Sequence, residues 1–315
     1  MKHLITALFV TLITISQAAA WDDVGHKLTA YIAWQRMSPE ARERVIAILR
    51  SAPEDSQLAT FYQVYGVEPV ERRKLEFFMT TATWADIVRE RAFENRYKKY
   101  HHGNWHYSDI FWKQVNGEAE IIERNGESGL AVEILAKKVN EIKDSSVSDK
   151  EKAIAIAWIM HIIGDLHQPL HTSARITDLE PNGDQGGNLF LLSPANTPRE
   201  QQLNLHWYWD SIISRAKPFN DSQCEFGYIS RIANEITRRY PYRSFGEKLK
   251  LSDFEQLKRE TFALNTKVVF TADLARNQLP GKNYQKRAFT TAERQIAMAG
   301  YRMGDLLEEV FGKQR

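Results

Sequence analysis

A mainly α-helical, all-α-class single domain with one short β-hairpin is what the sequence predicts, on three observations. Apolar residues recur at helical spacing through most of the chain, turn signals concentrate in residues 178–194, and no repeat, low-complexity tract or linker divides it. Residues 24–35 read as an amphipathic helix, and Ser38-Pro39-Glu40 opens a second with an N-cap and a first-turn proline. Further helices are predicted at about 68–80, 83–98, 129–143, 149–168, 199–215, 222–239, 252–277 and 290–311. Between and after the turn signals Glu180-Pro181-Asn182-Gly183 and Gly186-Gly187-Asn188, residues 189–192 are expected to supply the strand or hairpin.

Residues 1–20 read as a cleaved export signal. Met1-Lys2-His3 gives a positive start, residues 4–15 are almost wholly apolar, and Ala18 and Ala20 form the A-x-A pattern that signal peptidase prefers. The apolar run is shorter than the roughly 20 residues a bilayer requires, so no stable membrane anchor is expected. The mature chain would begin at Trp21 and hold 295 residues (315 minus 20). Its formal charge would be +1, from 41 basic residues (42 minus Lys2) against 40 acidic ones. That balance argues against a strongly basic nucleic-acid groove but not against nucleic-acid chemistry directed by metal ions. Cys224 is the only cysteine, so no intramolecular disulfide forms and stability must come from a large core or bound metal.

Polar residues stand where core is expected. The stretch from Ala153 to Leu170 is nearly all apolar, yet His161 and Asp165 interrupt it at i and i+4, on one helix face, and His171 follows Pro169. Burying such groups costs free energy unless they are paired or bind a metal; a satisfied His–Asp hydrogen bond explains one such pair as well as a ligand set does. The pattern recurs at His206 and Asp210 among Trp207, Tyr208 and Trp209, and two such pairs point to imidazole and carboxylate ligands that suit zinc. Asp86 in Trp84-Ala85-Asp86 and His106 in Trp105-His106-Tyr107 are further candidates, though a residue so placed is, alone, more often a cap or a satisfied loop residue than a ligand. His26 lies five residues from Trp21, whose freed α-amine would be a competent ligand once deprotonated.

Taken in order, Trp21, W-x4-H, WAD, HY, H-x3-D-x5-H, GGN and H-x3-D resemble the single-strand-specific zinc nucleases of the S-one and P-one type. The resemblance spans about residues 21–210, and Gly164 to His171 (GDLHQPLH) looks most like the plant and bacterial members. It implies a nuclease-like fold shared with zinc phospholipase C and one catalytic domain over residues 21–315. It implies three zinc ions: one on Asp86, His106, His161 and Asp165, one on His171, His206 and Asp210, and one on Trp21 and His26 with Asp165 bridging. It further implies that Arg89 stabilises charge on the phosphate, that Asp109 lies near the attacking water, that Tyr107 borders a base-stacking pocket, and that Asn188 contacts substrate near the scissile phosphate. The implied activity is hydrolysis of single-stranded DNA and RNA to 5′-phosphorylated products, with 3′-nucleotidase activity on nucleotides. Oligomeric state leaves no trace in the pattern, and a monomer is assumed.

The remaining histidines have plainer expected roles. His101 and His102 follow Lys98-Lys99-Tyr100 and read as solvated, and His167 beside the ligand helix reads as packing or ligand support. The basic run of residues 89–99 is interleaved with Glu90 and Glu94 and reads as a solvated helix face apart from Arg89. Two rival readings stand. A zinc phospholipase C shares the ligand scheme, but the short gap from Trp21 to His26 and the Asp at position 210, where phospholipases carry Glu, favour the nuclease. A non-catalytic zinc-binding envelope protein would need neither Arg89 nor Asp109 nor Asn188.

Overall fold

The computed structural model describes residues 21–62, 69–124, 128–220, 224–251 and 253–313. The expected leader, residues 1–20, lies outside them, as do the predicted helix starts at residues 68, 222 and 252. Among the described residues the helices are α1 (Asp23–Arg36), α2 (Pro39–Arg50), α3 (Val70–Thr81), α4 (Trp84–Ile87), α5 (Glu94–Tyr100), α6 (Ala131–Lys143) and α7 (Asp149–Asp165). They continue with α8 (Leu205–Asp210), α9 (Ile212–Ala216), α10 (Glu225–Arg239), α11 (Phe254–Phe262) and α12 (Lys282–Phe311). The mainly α class stands. No helix among the described residues is long and apolar enough to cross a membrane.

The helices begin where a side chain can satisfy their first amides. Asp22 caps α1 through Gly25 N–H, Ser38 caps α2 with Pro39 in the first turn, and Ser148 and Glu151 form a reciprocal capping box on α7. Because α7 is apolar all round, it is buried along nearly its whole length, and α1, α2, α4, α6 and α12 pack about it. The two positions that break its apolar run, His161 and Asp165, therefore sit at the centre of the molecule.

The hairpin is real but lies elsewhere. β1 (Ile110–Val115) and β2 (Glu118–Ile121) pair antiparallel, and β3 (Ser173–Arg175) adds parallel to β1 with Ile110 opposite Ser173. Asn116 and Gly117 both take positive φ (51° and 86°), the turn that matches strand twist. The expected strand at 189–192 reduces to one antiparallel bridge between Leu191 and Asn204. The predicted helix at 83–98 is broken in two: the Glu90 carboxylate accepts Ala92 N–H, and Arg96 reaches back to Ile87 O, closing a loop between α4 and α5. The predicted helix at 199–215 starts only at Leu205, where Asn204 supplies the cap, and that at 252–277 ends at Phe262, ahead of a π-helical turn over Asn265–Val269. α12 begins at Lys282 rather than 290.

Candidate metal centre

Four parts of the chain converge on the C-terminal half of α7. It presents His161 and Asp165 one turn apart; Pro169 then ends the helix direction and a tight turn delivers His171. α4 brings Asp86, the segment before β1 brings His106, α1 brings His26, and α8 brings His206 and Asp210. The ligand atoms of His106, His161 and Asp165 lie within 4.8 Å of one another, as do those of His26, Asp86 and His161, and those of His171, His206 and Asp210. All eight histidines and aspartates expected as ligands are thus brought together, in three groups.

Asp165 is the hinge of the arrangement. Its Oδ2 lies 3.2 Å from His106 Nδ1 and 3.4 Å from His161 Nε2, while its Oδ1 lies 3.3 Å from His26 Nε2. The two oxygens of one carboxylate therefore face two different groups. Asp86 Oδ1 closes the first group at 3.8 Å from His106 Nδ1 and 3.6 Å from His161 Nε2. The imidazoles of His26 and His161 stack with centroids 4.0 Å apart, and a Cβ at Gly164 would stand 2.8 Å from His26 Nδ1, so that position on α7 has no room for a side chain.

Backbone carbonyls fix the tautomers. A carbonyl only accepts, so the Nδ1–H groups of His161, His171 and His206 donate to Ala82 O (2.8 Å), His106 O (2.7 Å) and Gly186 O (2.7 Å). Each Nε2 is then a bare lone pair turned inward. His171 Nε2 and His206 Nε2 stand 3.1 Å apart, lone pair against lone pair. Tetrahedral zinc with Zn–N bonds of about 2.0–2.1 Å sets two nitrogens roughly 3.3 Å apart, so the spacing fits a shared cation. Burial disfavours a shared proton, since it pushes His171 down to about 4 and lowers His206 as well. Around the cluster Asp165 Oδ1 and Asp210 Oδ2 are buried acceptors without a hydrogen-bond partner, and neither ring nitrogen of His26 has one. Buried lone pairs left open in this way are what a site shaped for cations presents.

Electrostatics agree. Burial lowers His26 and His106 well below the ordinary range and brings His161 to about 3, leaving every ring in the neutral, ligating form. The same burial raises Asp86 to about 6 and Asp210 to about 7, and lifts Asp165 well above the usual carboxylate range. Cations held by these carboxylates would reverse that shift.

Several supporting residues carry no ligand signature in the sequence. Gln168 donates its amide to Asp210 Oδ1 at 2.7 Å and accepts Leu170 N–H at 2.6 Å, tying the second group to the turn that carries His171. Gly186, at φ +61°, offers its carbonyl to His206 where a Cβ would meet Leu170 O at 2.5 Å. Asn204 caps α8 through Trp207 N–H and contacts Asn188 Oδ1 at 3.4 Å. His167 holds Ile163 O and Arg302, a supporting role of the kind expected. His101 and His102 are half-buried rather than fully solvated, because their rings stack on Tyr97 and Trp105.

Trp21 is fully buried, its indole N–H without a partner, and the N–H of Asp22 donates to Asp210 O, fastening the start of α1 to α8. Arg89 reaches the cluster edge, 2.9 Å from Asp86 Oδ1. Tyr107 is half-buried and its carbonyl receives Ala131 N–H. Asn188 donates to Gln185 O inside its own turn. Asp109 stands just before β1, one residue beyond the Ser108 N–H to His171 O bond; burial and then Asp184 push its carboxyl well above the ordinary range, against the Ser173 N–H.

A buried His/Asp centre in a helical frame, with an arginine at its edge, fits the class of metal-dependent hydrolases that act on anions. Comparison with known proteins narrows that class. The chain belongs to the S1/P1 nuclease family, whose description matches residues 21–312. It is 25% identical over 309 residues to Nuclease P1 of Penicillium citrinum, covering 93% of this chain and 99% of that protein. It is 24% identical over 212 residues to Nuclease S1 of Aspergillus oryzae, covering 67% of this chain and 60% of that protein. Endonuclease 3 of Arabidopsis thaliana is 26% identical over 171 residues, about half of each chain. The protein is a nuclease.

Proposed function

We propose that this nuclease is exported, holds three zinc ions, and hydrolyses single-stranded DNA and RNA to 5′-phosphorylated products, with 3′-nucleotidase activity alongside. The observation that carries the reading is the pair of lone pairs at His171 and His206, set among orphaned carboxylate oxygens. Imidazole and carboxylate donors without thiolate suit zinc. Asp86, His106, His161 and Asp165 would hold one ion and His171, His206 and Asp210 a second. The amine and carbonyl of a mature Trp21, with His26 and the other oxygen of Asp165, would hold the third.

When bound, zinc supplies Lewis acidity and lowers the pKa of water towards roughly 7. Asp86, Asp165 and Asp210 bring three negative charges against the six positive charges of three dications, so the filled site attracts a phosphate anion. Arg89 at the edge exchanges its contact with Asp86 for phosphoryl oxygens and adds charge-assisted hydrogen bonds. Asp109 orients the attacking water, Asn188 contacts the substrate near the scissile phosphate, and Tyr107 receives a base. A strand free to turn a base onto Tyr107 fits a centre this recessed better than a stacked duplex does. Export follows from the reading of residues 1–20, and it is what exposes the Trp21 amine.

The test is to purify the mature protein, measure zinc per chain, and incubate it with single-stranded DNA, duplex DNA, RNA and phosphatidylcholine, with and without chelator. Chelator-sensitive cleavage of both nucleic acids with intact lipid is expected. Lipid turnover, or cleavage of duplex as fast as single strand, would overturn the reading.

A further inference from the structure

The basic run at residues 89–99 is not one solvated helix. It breaks between α4 and α5, and the break projects Phe93 outward with 47% of its surface exposed. Glu90 makes that shape: its carboxylate accepts Ala92 N–H and its carbonyl accepts Phe93 N–H. Behind the ring the Arg96 guanidinium lies 4.4 Å from the centroid, itself buried and fixed by Gln57 Oε1 and Ile87 O. An exposed phenyl ring is thus held rigid on a pinned cation.

Phe93 and Arg96 line a cavity of about 480 Å³ together with Asp86, Ile87, Arg89 and Glu90. That cavity adjoins the metal centre at Asp86, which lines it and also closes the first ligand group. Arg91 is exposed beside it, over the ring of Tyr97. A rigid aromatic face next to arginines, opening from a phosphate-hydrolysing centre, is the combination that binds single-stranded nucleic acid: stacking for the base, cations for the backbone.

We infer that Phe93 is a stacking platform for the base of a nucleotide flanking the scissile phosphate, on the Arg89 side of the cluster. The inference rests on the single-strand reading above and adds a subsite to it. The phosphate between that base and the cluster passes Arg89, and the backbone beyond it passes Arg91. Such a platform is tolerant of sequence, since every base offers a π face.

The experiment compares wild type with Phe93→Ala, Phe93→Leu and Phe93→Trp on a short oligothymidylate and on the same oligomer carrying abasic residues. Base stacking predicts that Phe93→Ala and Phe93→Leu raise KM on the base-bearing oligomer about tenfold, with KM on the abasic oligomer changed less than about twofold. Phe93→Trp, which keeps a π face, stays near wild type, and melting temperatures are unchanged because the ring is exposed. Equal losses on both oligomers, or no loss on either, overturns the subsite while leaving the nuclease reading intact. A wild type that leaves both oligomers uncut overturns the single-strand reading, and the subsite with it.

Discussion

Replacing Gln168 with Leu removes a side-chain donor to Asp210 Oδ1, a 2.7 Å bond to a fully buried carboxylate, and deprives Leu170 N–H of its acceptor. Hydrogen bonds to a charged partner contribute about 1.5–3 kcal/mol, and outer partners of metal ligands commonly change affinity by roughly 10- to 100-fold. The loss should fall on the His171, His206 and Asp210 group, because the Gln168 side chain bonds Asp210 and Leu170 N–H, while only its backbone N–H, unchanged by the substitution, meets Asp165 O. Competition with a graded chelator, read by zinc content at each chelator concentration, should therefore show one ion per chain released about 10- to 100-fold more easily. The remaining zinc should be held as in wild type. Gln168→Glu should be worse than Gln168→Leu, since a second carboxylate beside Asp210 repels it unless protonated. Unaltered zinc retention in Gln168→Leu would refute the argument, as would equal weakening of all sites in a protein that melts normally.

Other expectations follow from the same geometry. Gly186→Ala places a methyl 2.5 Å from Leu170 O at φ +61° and crowds His206; zinc at that group and the melting temperature of the zinc-loaded protein should both fall, whereas an unchanged melting curve would contradict the fit. For pH, the folded metal-free carboxyls are raised, so they hold protons below about 7 at Asp210 and about 6 at Asp86. Zinc must displace those protons, so its affinity falls as pH drops, by about tenfold per unit at the second group below pH 7. The zinc-induced rise in melting temperature should accordingly be larger at about pH 7.5 than at about pH 5.5, and a flat profile would contradict it. A protein with one extra residue before Trp21 should lose one zinc and most activity; full activity would remove the terminal ligand and leave the other two groups standing.

Much of the site was legible because it broke a pattern. His161 and Asp165 stand out in an otherwise apolar helix, and the repeat of that spacing at His206 and Asp210 identifies the second pair. Asp86 and His106 stand in aromatic settings that make them weaker candidates, each more simply a cap or a satisfied loop residue, and the family pattern is what joins them to the ligand set. Gln168 stayed hidden because its partner arrives 42 residues later on α8, and Gly186 because its carbonyl rather than a side chain is what His206 uses. Phe93 was invisible for a related reason: periodicity ran one helix through residues 83–98, while the Glu90 carboxylate and the Arg96 side chain break it. The hairpin signal was present as Asn116-Gly117 between alternating residues, and the glycine-rich stretch at 186–188 masked it. The start of α12 is thin in apolar residues: before residue 290 Tyr284 and Ala288 are buried and Phe289 packs partly against the core.

The central claim is that three groups built on His161, Asp165 and their neighbours bind zinc. Anomalous diffraction at the zinc edge from crystals of the mature protein counts the ions and identifies their ligands in one measurement. The account predicts three peaks: one among Asp86, His106, His161 and Asp165, one among His171, His206 and Asp210, and one between His26, Asp165 and the Trp21 terminus. Fewer than three peaks, or peaks away from these residues, would contradict it.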